Sequence, residues 1–262
     1  MKWNFSKCAK AGSRHIEAGI PCQDMVYAFK RGNFHAAALS DGAGSAKFAH
    51  IGANETVHFI CKWLEHNFDS LFPHDTAETF YDPEVIKKNF AIKMKTDLQQ
   101  YLQKTAADRN IPLEEMACTL LFVAVKDDNY IAGHVGDGFI AALTGNSTLP
   151  EVISYPHNGI FSNITFFVTE EDMDIQLELK TGSISGENIK SFALMSDGTA
   201  DGAWNPAKNS FFSSFPEFME YVSSHPKLAE QEMRRLLDKI SEVSTSDDCS
   251  LLIMACAGKE NE

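Results

Sequence analysis

Several apolar runs in this sequence end abruptly on an Asp-Gly pair. The run at residues 34–39 leads directly into Ser40-Asp41-Gly42, and similar pairs follow other runs at Asp137-Gly138 and Asp197-Gly198. Asp-Gly is a common turn, because glycine adopts a positive φ without strain and aspartate hydrogen-bonds to the turn backbone. A single pair of this kind therefore predicts only a turn. Their recurrence behind buried runs favours a fold in which several strands end at one common edge.

The apolar runs themselves are short, which predicts β-strands rather than helices. Seven of them are found, at residues 25–30, 34–39, 119–125, 129–135, 139–143, 192–195 and 250–255. The first pair is joined by Arg31-Gly32-Asn33 and the second by Lys126-Asp127-Asp128, which are hairpin patterns. The short connection Asp137-Gly138 predicts that the next run extends the second hairpin into a meander. Because several runs lack polar alternation, we expect both of their faces to be buried.

Three longer segments, at residues 46–68, 83–104 and 227–243, have apolar residues at helical spacing. The second of these begins with Asp82 as a predicted N-cap and Pro83 at the first helical position. Strands that are buried on both faces need a sheet on one side and helices on the other. The sequence therefore predicts an α+β fold, a four-layer α-β-β-α sandwich with two antiparallel sheets face to face and helices outside. We expect residues 1–262 to form a single domain.

Charge and cysteine pattern disfavour several functional classes. The formal net charge of −13 argues against a nucleic-acid binder, which has to neutralise phosphates. The six cysteines are scattered without a CxxC pair, which indicates neither a zinc site nor a redox pair. The N-terminus lacks the apolar segment of a secretory signal, and no uncharged apolar run is long enough to span a membrane. We expect a cytoplasmic protein without membrane or nucleic-acid partners.

The strand-end aspartates are candidates for a metal site. Asp247-Asp248 directly precedes the run at residues 250–255, and in an antiparallel sheet the start of one strand lies beside the end of its neighbour. Carboxylates gathered at one edge repel each other, and divalent cations remove this repulsion. Ligand sets of oxygen alone suit Mg²⁺ or Mn²⁺ rather than zinc. Two such ions, about 3.5–4 Å apart, share a bridging carboxylate, orient a phosphoryl group and activate water.

Five motifs in a fixed order carry a family resemblance. They are CQD (residues 22–24), SDGAG (40–44), GHVGDG (133–138), LMSDGTADGAW (194–204) and SDDCSLLI (246–253). With these motifs the chain resembles the metal-dependent protein serine/threonine phosphatases of type 2C, in particular their bacterial branch. The SDGxxxD spacing from Asp197 to Asp201 is the most specific part of the set. The resemblance covers nearly the whole chain and implies the same sandwich architecture as the strand pattern.

The resemblance implies a role for each motif residue. Asp41 corresponds to the aspartate that bridges two Mg²⁺ or Mn²⁺ ions, and the carbonyl of Gly42 is a further ligand. Asp197 and Asp247 correspond to the other direct carboxylates, which with Asp41 make the catalytic set. Asp201 corresponds to a water-mediated ligand, and Asp24 corresponds to the last acid of the N-terminal motif. Asp137 corresponds to an aspartate associated with a third ion, and Arg14 to the phosphate-binding arginine.

The implied reaction is hydrolysis of phosphoserine or phosphothreonine in proteins by attack of a metal-bound hydroxide at a two-metal centre. A phosphorylated protein would be the substrate, and a cognate serine/threonine kinase a partner. The segment around residues 144–190 corresponds to a variable flap of such phosphatases. It is equally compatible with an extra hairpin that completes the sheets.

Three departures from the family pattern motivate an alternative. Ala43 stands where the family often has a histidine as candidate general acid, and Gln23 replaces the acid that precedes Asp24. Arg14 lies ten residues before Asp24, a longer spacing than in the family. The alternative is a catalytically impaired pseudophosphatase that acts as a binding or regulatory module. The three aspartates at the direct metal positions are all present, which favours an active enzyme. A two-metal nuclease fits poorly with the acidic charge.

Histidines are the remaining candidates for a general acid, at His15, His35, His50, His134 and His157. An isolated histidine is more often a surface residue or a hydrogen-bonded core residue than a catalytic one. The sequence therefore assigns the acid to none of them.

Overall fold

The computed structural model describes residues 1–73, 82–156 and 165–257 of the 262-residue chain. Within these ranges the β-strands are β1 (Trp3–Lys10), β2 (Met25–Arg31), β3 (Phe34–Ser40), β4 (Leu120–Lys126), β5 (Asn129–Val135), β6 (Phe139–Thr144), β7 (Glu151–Ser154), β8 (Glu178–Ser183), β9 (Ile189–Met195), β10 (Trp204–Asn205), β11 (Ser210–Phe211) and β12 (Cys249–Cys256). The α-helices are α1 (Ser13–Ala18), α2 (Ala49–Asn67), α3 (Pro83–Arg109), α4 (Met173–Gln176), α5 (Asp197–Ala203), α6 (Phe215–Ser224) and α7 (Pro226–Val243). None of these helices is long and apolar enough to cross a membrane.

The strands form two five-stranded antiparallel sheets. The first sheet has the order β1-β12-β9-β6-β7 and the second has the order β2-β3-β4-β5-β8, while β10 and β11 form a separate two-stranded ribbon. Alternate residues of the central strands point to opposite faces of their sheet. In β4, for example, Leu121 and Val123 pack between the sheets, whereas Phe122 packs on the outer face. Both faces of this strand are buried, which is why its sequence is a continuous apolar run.

Three apolar layers hold the sandwich together. The middle layer lies between the sheets, where Leu39 and Leu121 of one sheet meet Phe192 and Leu252 of the other. Helices α2 and α3 cover the outer face of the sheet that contains β3 and β4. Helices α6 and α7 cover the outer face of the sheet that contains β9 and β12. This arrangement confirms the predicted four-layer α-β-β-α sandwich.

The helix that begins at Pro83 starts where the sequence predicts. The carboxylate of Asp82 accepts a hydrogen bond from the backbone N–H of Glu84 at 2.9 Å, which is an N-cap interaction. The helix continues beyond the predicted residue 104 and ends at Arg109, because Asn110 adopts the left-handed conformation with φ of 55°. Helix α2 begins three residues later than predicted, since the preceding residues form the loop that follows β3.

The predicted meander from β5 into β6 is wrong. The two strands belong to different sheets, so the connection at residues 136–138 carries the chain across the sandwich. Gly136 has a φ of 121°, a conformation that other residues rarely adopt, and this permits the sharp change of direction. A second difference concerns the pair Asp197-Gly198. It begins helix α5 rather than forming an isolated turn, and Asp201 belongs to the same helix.

The segment around residues 144–190 completes both sheets at their edges. Its strand β7 pairs with β6 and its strand β8 pairs with β5. The hydroxyl of Ser154 on β7 donates a hydrogen bond to Glu178 on β8 at 2.5 Å, which joins the two sheets at this side of the sandwich. Strands β7 and β8 belong to different sheets, so the described residues of this segment complete the sheets without forming the extra hairpin of the second interpretation. Residues 157–164 lie outside the described ranges.

Candidate metal centre

Three aspartates converge at the ends of strands from both sheets. Asp41 follows β3, Asp137 lies in the connection between β5 and β6, and Asp197 follows β9. One carboxylate oxygen from each of these residues lies within 4.8 Å of the others. The predicted meeting of strand ends at one edge is confirmed for these residues. Three oxygens at this separation are close enough to share one cation.

Burial and mutual repulsion raise the pKa values of these carboxyl groups. Burial is the largest cause for Asp41, and the charges of Asp24, Asp197 and Asp137 raise its pKa further, well above the ordinary value. The pKa of Asp197 rises to about 6, mainly through burial and then through the charge of Asp137. Without a cation, Asp41 and Asp197 therefore hold protons more tightly than isolated carboxyl groups do. A divalent cation would reverse this preference by supplying the missing positive charge.

Asp24 is the most deeply buried member of the cluster. Its relative exposure is 1 %, and neither of its carboxylate oxygens makes a hydrogen bond of ordinary geometry. Burial raises the pKa of Asp24 to about 7, although the nearby hydroxyls of Ser250 and Ser196 lower it in part. A buried carboxylate without partners is costly unless a proton or a cation accompanies it. Asp24 therefore fits a site that holds positive charge.

The loop after β3, which carries Asp41 and Gly42, packs tightly against its neighbours. The backbone N–H of Thr119 donates to the carbonyl of Asp41 at 2.8 Å, and its hydroxyl accepts from the N–H of Asp41 at 2.9 Å. A Cβ atom on Gly42 would lie 2.7 Å from the Cβ of Ala49 and 2.8 Å from that of Gln23. Only glycine fits this position without displacing its neighbours.

Ala43 does not leave a gap in the site. Its side chain is buried in a small apolar cluster with Ala46, Ala49 and Ala117. A histidine in its place would have to displace this packing. The interpretation of position 43 as the place of a missing general acid therefore gains no support.

Gln23 connects the two loops that carry Asp24 and Asp41. Its side-chain amide donates to the carbonyl of Ala46 at 3.3 Å, in the loop that follows Asp41. Its backbone N–H donates to the carboxylate of Asp248 at 2.6 Å. Gln23 thus positions both loops through hydrogen bonds. This role does not require the negative charge of the acidic residue that the family pattern has at this position.

Asp248 is a buried anchor that the sequence reasoning missed. Its relative exposure is 3 %, and its carboxylate accepts hydrogen bonds from Gly12 N–H at 2.7 Å, Gln23 N–H at 2.6 Å and His15 Nδ1 at 2.9 Å. These bonds tie the N-terminal loops to the start of β12. His15 therefore has a structural partner, as its hydrogen-bonded-core interpretation predicts. The Asp-Asp sequence signals two carboxylates but does not distinguish the buried one from the exposed one.

Arg14 reaches the acidic cluster in spite of its long spacing from Asp24. It belongs to α1, and its Nη2 atom lies 3.5 Å from a carboxylate oxygen of Asp247. The same Nη2 atom lies 3.5 Å from the position that a Cβ on Gly44 would occupy. The side chain is 60 % exposed, so its guanidinium is accessible to an incoming anion. Arg14 is thus placed beside Asp247, whose charge contributes to the raised pKa of Asp197.

Asp137 and Asp201 have further contacts around the cluster. Asp137 accepts a hydrogen bond from the hydroxyl of Thr165 at 2.5 Å, so the segment around residues 144–190 also contacts the site. Asp201 lies one turn after Asp197 on α5. Partial burial raises the pKa of Asp201, and the charge of Asp247 acts in the same direction, whereas a hydrogen bond from Thr245 lowers it.

The other candidate histidines have local surroundings of their own. The Nδ1 atom of His134 lies 2.7 Å from the hydroxyl of Ser154, and burial lowers the pKa of His35. The Nδ1 atom of His50 is buried without a hydrogen-bond partner. His157 lies outside the described residues.

Comparisons with known proteins agree with this architecture. Residues 11–238 match the family described as "Protein phosphatase 2C". The chain is 24 % identical over 226 residues to serine/threonine-protein phosphatase 3 of Escherichia coli K12, which covers 82 % of each sequence.

Solved structures show the same fold at low identity. The S. agalactiae serine/threonine phosphatase superposes with a TM-score of 0.66 at 16 % identity, over 97 % of this chain and 100 % of that one. Stp1 from Staphylococcus aureus gives a TM-score of 0.65 at 14 % identity, over 98 % and 96 % of the two chains. Because the family pattern extends over most of the sequence, the chain belongs to the protein phosphatase 2C family of Mg²⁺- or Mn²⁺-dependent protein serine/threonine phosphatases.

Proposed function

We propose that the protein hydrolyses phosphoserine and phosphothreonine in protein substrates at a centre of two divalent cations, Mg²⁺ or Mn²⁺. The observation that carries the proposal is the approach of Asp41, Asp137 and Asp197 to within 4.8 Å of one another. Asp24 lies beside them, buried and without hydrogen-bond partners. Such a set of carboxylates calls for positive charge, and oxygen ligands alone suit these two ions.

The residues have different parts in the proposed centre. Asp41, Asp197 and Asp247 would hold the ions directly, with the carbonyl of Gly42 as a further ligand. Asp24 and Asp201 would bind through water, and Asp137 would contribute to a third ion. When bound, the ions would lower the pKa of a coordinated water and orient the phosphoryl group.

Arg14 is the proposed phosphate-binding residue. Its guanidinium offers several N–H donors in a plane that matches two oxygens of a phosphate. It lies 3.5 Å from Asp247, so a short movement of an exposed side chain would bring it to a phosphoryl group at the aspartates. Its role would be to bind and orient the substrate rather than to transfer a proton.

The substrate implies a partner reaction. A phosphorylated serine or threonine has to be made by a protein serine/threonine kinase, and we propose that such a kinase acts on the same substrates. The convergence of Asp41, Asp137 and Asp197 supports an active enzyme over the impaired pseudophosphatase. A two-metal nuclease would need a basic surface to bind the phosphates of a nucleic acid. The formal net charge of −13 disfavours such a surface.

Hydrolysis of an aryl phosphate and of a phosphothreonine peptide tests this proposal. The wild type should turn over both substrates with Mn²⁺ or Mg²⁺ and neither with EDTA. Asp41→Asn should lower the rate by more than about 100-fold, because it weakens a ligand shared by both ions. Asp108→Asn, the same chemical change at an exposed position of α3, is the matched control and should be unaffected. Turnover that survives EDTA, or Asp41→Asn at the wild-type rate, would refute the metal centre.

A further inference from the structure

An open groove lies beside the metal centre, on the side of α5 and of the β10–β11 ribbon. Its volume is about 640 Å³, and its walls include Leu149, Gly202, Trp204, Lys208 and Phe212. The mechanism proposed above uses none of these side chains. The groove is large enough to take one or two side chains of a peptide.

The groove is continuous with the aspartate cluster in two ways. Asp201 and Gly202 are consecutive exposed residues of α5, so the surface of that helix leads from the cluster into the groove. At about 1.5 Å per residue, Gly202 lies roughly 8 Å along the helix from Asp197. In addition, Phe139 follows Asp137 by two residues, and its ring centroid lies 5.4 Å from that of Trp204 on the groove wall. The groove therefore adjoins the helix that carries Asp197 and Asp201.

The chemistry of the groove differs from that of the whole chain. The chain has 36 acidic and 23 basic residues, yet the described groove walls have no acidic side chain and one charged side chain, that of Lys208. Trp204, Phe212 and Leu149 supply an apolar surface, and Leu149 is 41 % exposed. Apolar walls with a single cation complement a peptide that has an apolar residue next to an acidic one.

We propose that this groove binds the segment of the phosphoprotein substrate three to five residues away from the phosphorylated residue, and that it selects an apolar side chain followed by an acidic one. This inference rests on the proposed phosphatase function. An extended peptide advances about 3.3 Å per residue, so three to five residues span about 10–17 Å, which is enough to pass Gly202, roughly 8 Å along α5 from Asp197, and to reach the groove walls beyond it. The apolar side chain packs on Trp204 and Leu149, and the acidic one pairs with Lys208.

Peptide selectivity tests the groove. The probes are phosphothreonine peptides with leucine and glutamate four and five residues from the phosphothreonine, placed on either side in two versions. A reference peptide has serine and glutamine at these places, and an aryl phosphate reports turnover without the groove. One of the leucine-glutamate peptides should exceed the reference in kcat/KM by about fivefold to twentyfold, mainly through KM, since an exposed ion pair and a half-buried leucine each contribute a few-fold.

The double variant L149S/K208E should abolish this preference, so that kcat/KM is about the same for the leucine-glutamate peptide and the reference peptide. Its turnover of the aryl phosphate should stay within about twofold of the wild type. The control L228S/K227E makes the same chemical changes at exposed positions of α7, away from the groove, and should keep the preference. A wild type without any preference, or a preference that survives L149S/K208E, overturns the proposal. Binding of the labelled peptides is measured in parallel by fluorescence anisotropy. Selective binding without turnover of any substrate would refute the phosphatase function and leave the peptide-binding groove intact.

Discussion

Replacing Asp24 by asparagine should stabilise the metal-free protein at pH 8 and should have a smaller stabilising effect at pH 5. Asparagine has the shape of aspartate but cannot ionise. Asp24 is fully buried, and its carboxylate oxygens have no hydrogen-bond partner. In the absence of metal, the ionised form of this side chain is therefore a net cost to the fold.

The size of this cost follows from the pKa of Asp24, which burial raises from 3.8 to about 7. One pKa unit corresponds to about 1.4 kcal/mol, so the shift corresponds to roughly 4 kcal/mol. Because the folded protein holds the proton more tightly than the unfolded chain, this contribution to stability is present below pH 4 and is lost as the pH rises through 7. Asp197, with its pKa raised to about 6, acts in the same direction.

Urea unfolding in EDTA between pH 5 and pH 8, followed by fluorescence and far-UV circular dichroism, measures this effect. The wild type should lose several kcal/mol of unfolding free energy across this range, and Asp24→Asn should lose about 3 kcal/mol less. Asp108→Asn is the matched control and should follow the wild type. At pH 8, Mn²⁺ at about 100 times its Kd should stabilise the wild type by about 2.7 kcal/mol.

Two results would show that the reasoning is wrong. One is a metal-free wild type whose stability is constant or rises from pH 5 to pH 8. The other is an Asp24→Asn variant with the same pH dependence as the wild type. Either result would mean that Asp24 does not carry an uncompensated charge in the folded protein.

Three further predictions concern the supports of the site. Asp248→Ala should lower the free energy of unfolding in urea by about 3–5 kcal/mol, since it leaves buried donors and His15 without their acceptor; Asp247→Asn, at its exposed neighbour, should cost less than about 1 kcal/mol. Gly42→Ala should destabilise the folded protein by about 1–3 kcal/mol and weaken Mn²⁺ binding in calorimetry, because the added Cβ overlaps Ala49. Gly44→Ala is the control, since its Cβ would meet nothing closer than 3.5 Å. Equal effects of the two substitutions would contradict the steric argument. Arg14→Ala should raise KM for a phosphothreonine peptide by about tenfold or more, with Mn²⁺ affinity unchanged; an unaltered KM would remove Arg14 from the phosphate site.

The sequence predicted those parts of the molecule that local patterns determine. The continuous apolar run of β4 reflects burial on both faces, and Asp41 and Asp197 mark the strand ends where the cluster forms. Strand β1 was not predicted, because its sequence WNFSKCAK has neither a continuous apolar run nor a regular alternation and its partner β12 lies at the other end of the chain.

Other features could not be predicted because they depend on contacts between residues far apart in the sequence. The role of Asp248 depends on Gly12, which is 236 residues away along the chain. The short connection from β5 to β6 has the same local pattern whether the chain stays in one sheet or crosses to the other. Only the packing of the two sheets determines which of these occurs.

The position of β12 between β1 and β9 has a consequence for synthesis on the ribosome. The last strand of the described chain inserts between strands made earlier, and Asp248 joins Gly12 across 236 residues. At about 5–20 residues per second, translation of this interval takes roughly 12–50 s. During this time β1 lacks its strand partner, and the edge of β9 stays open to pairing with other chains. The N-terminal loops are therefore tied to Asp248 only after β12 has been made, as one event with closure of the first sheet.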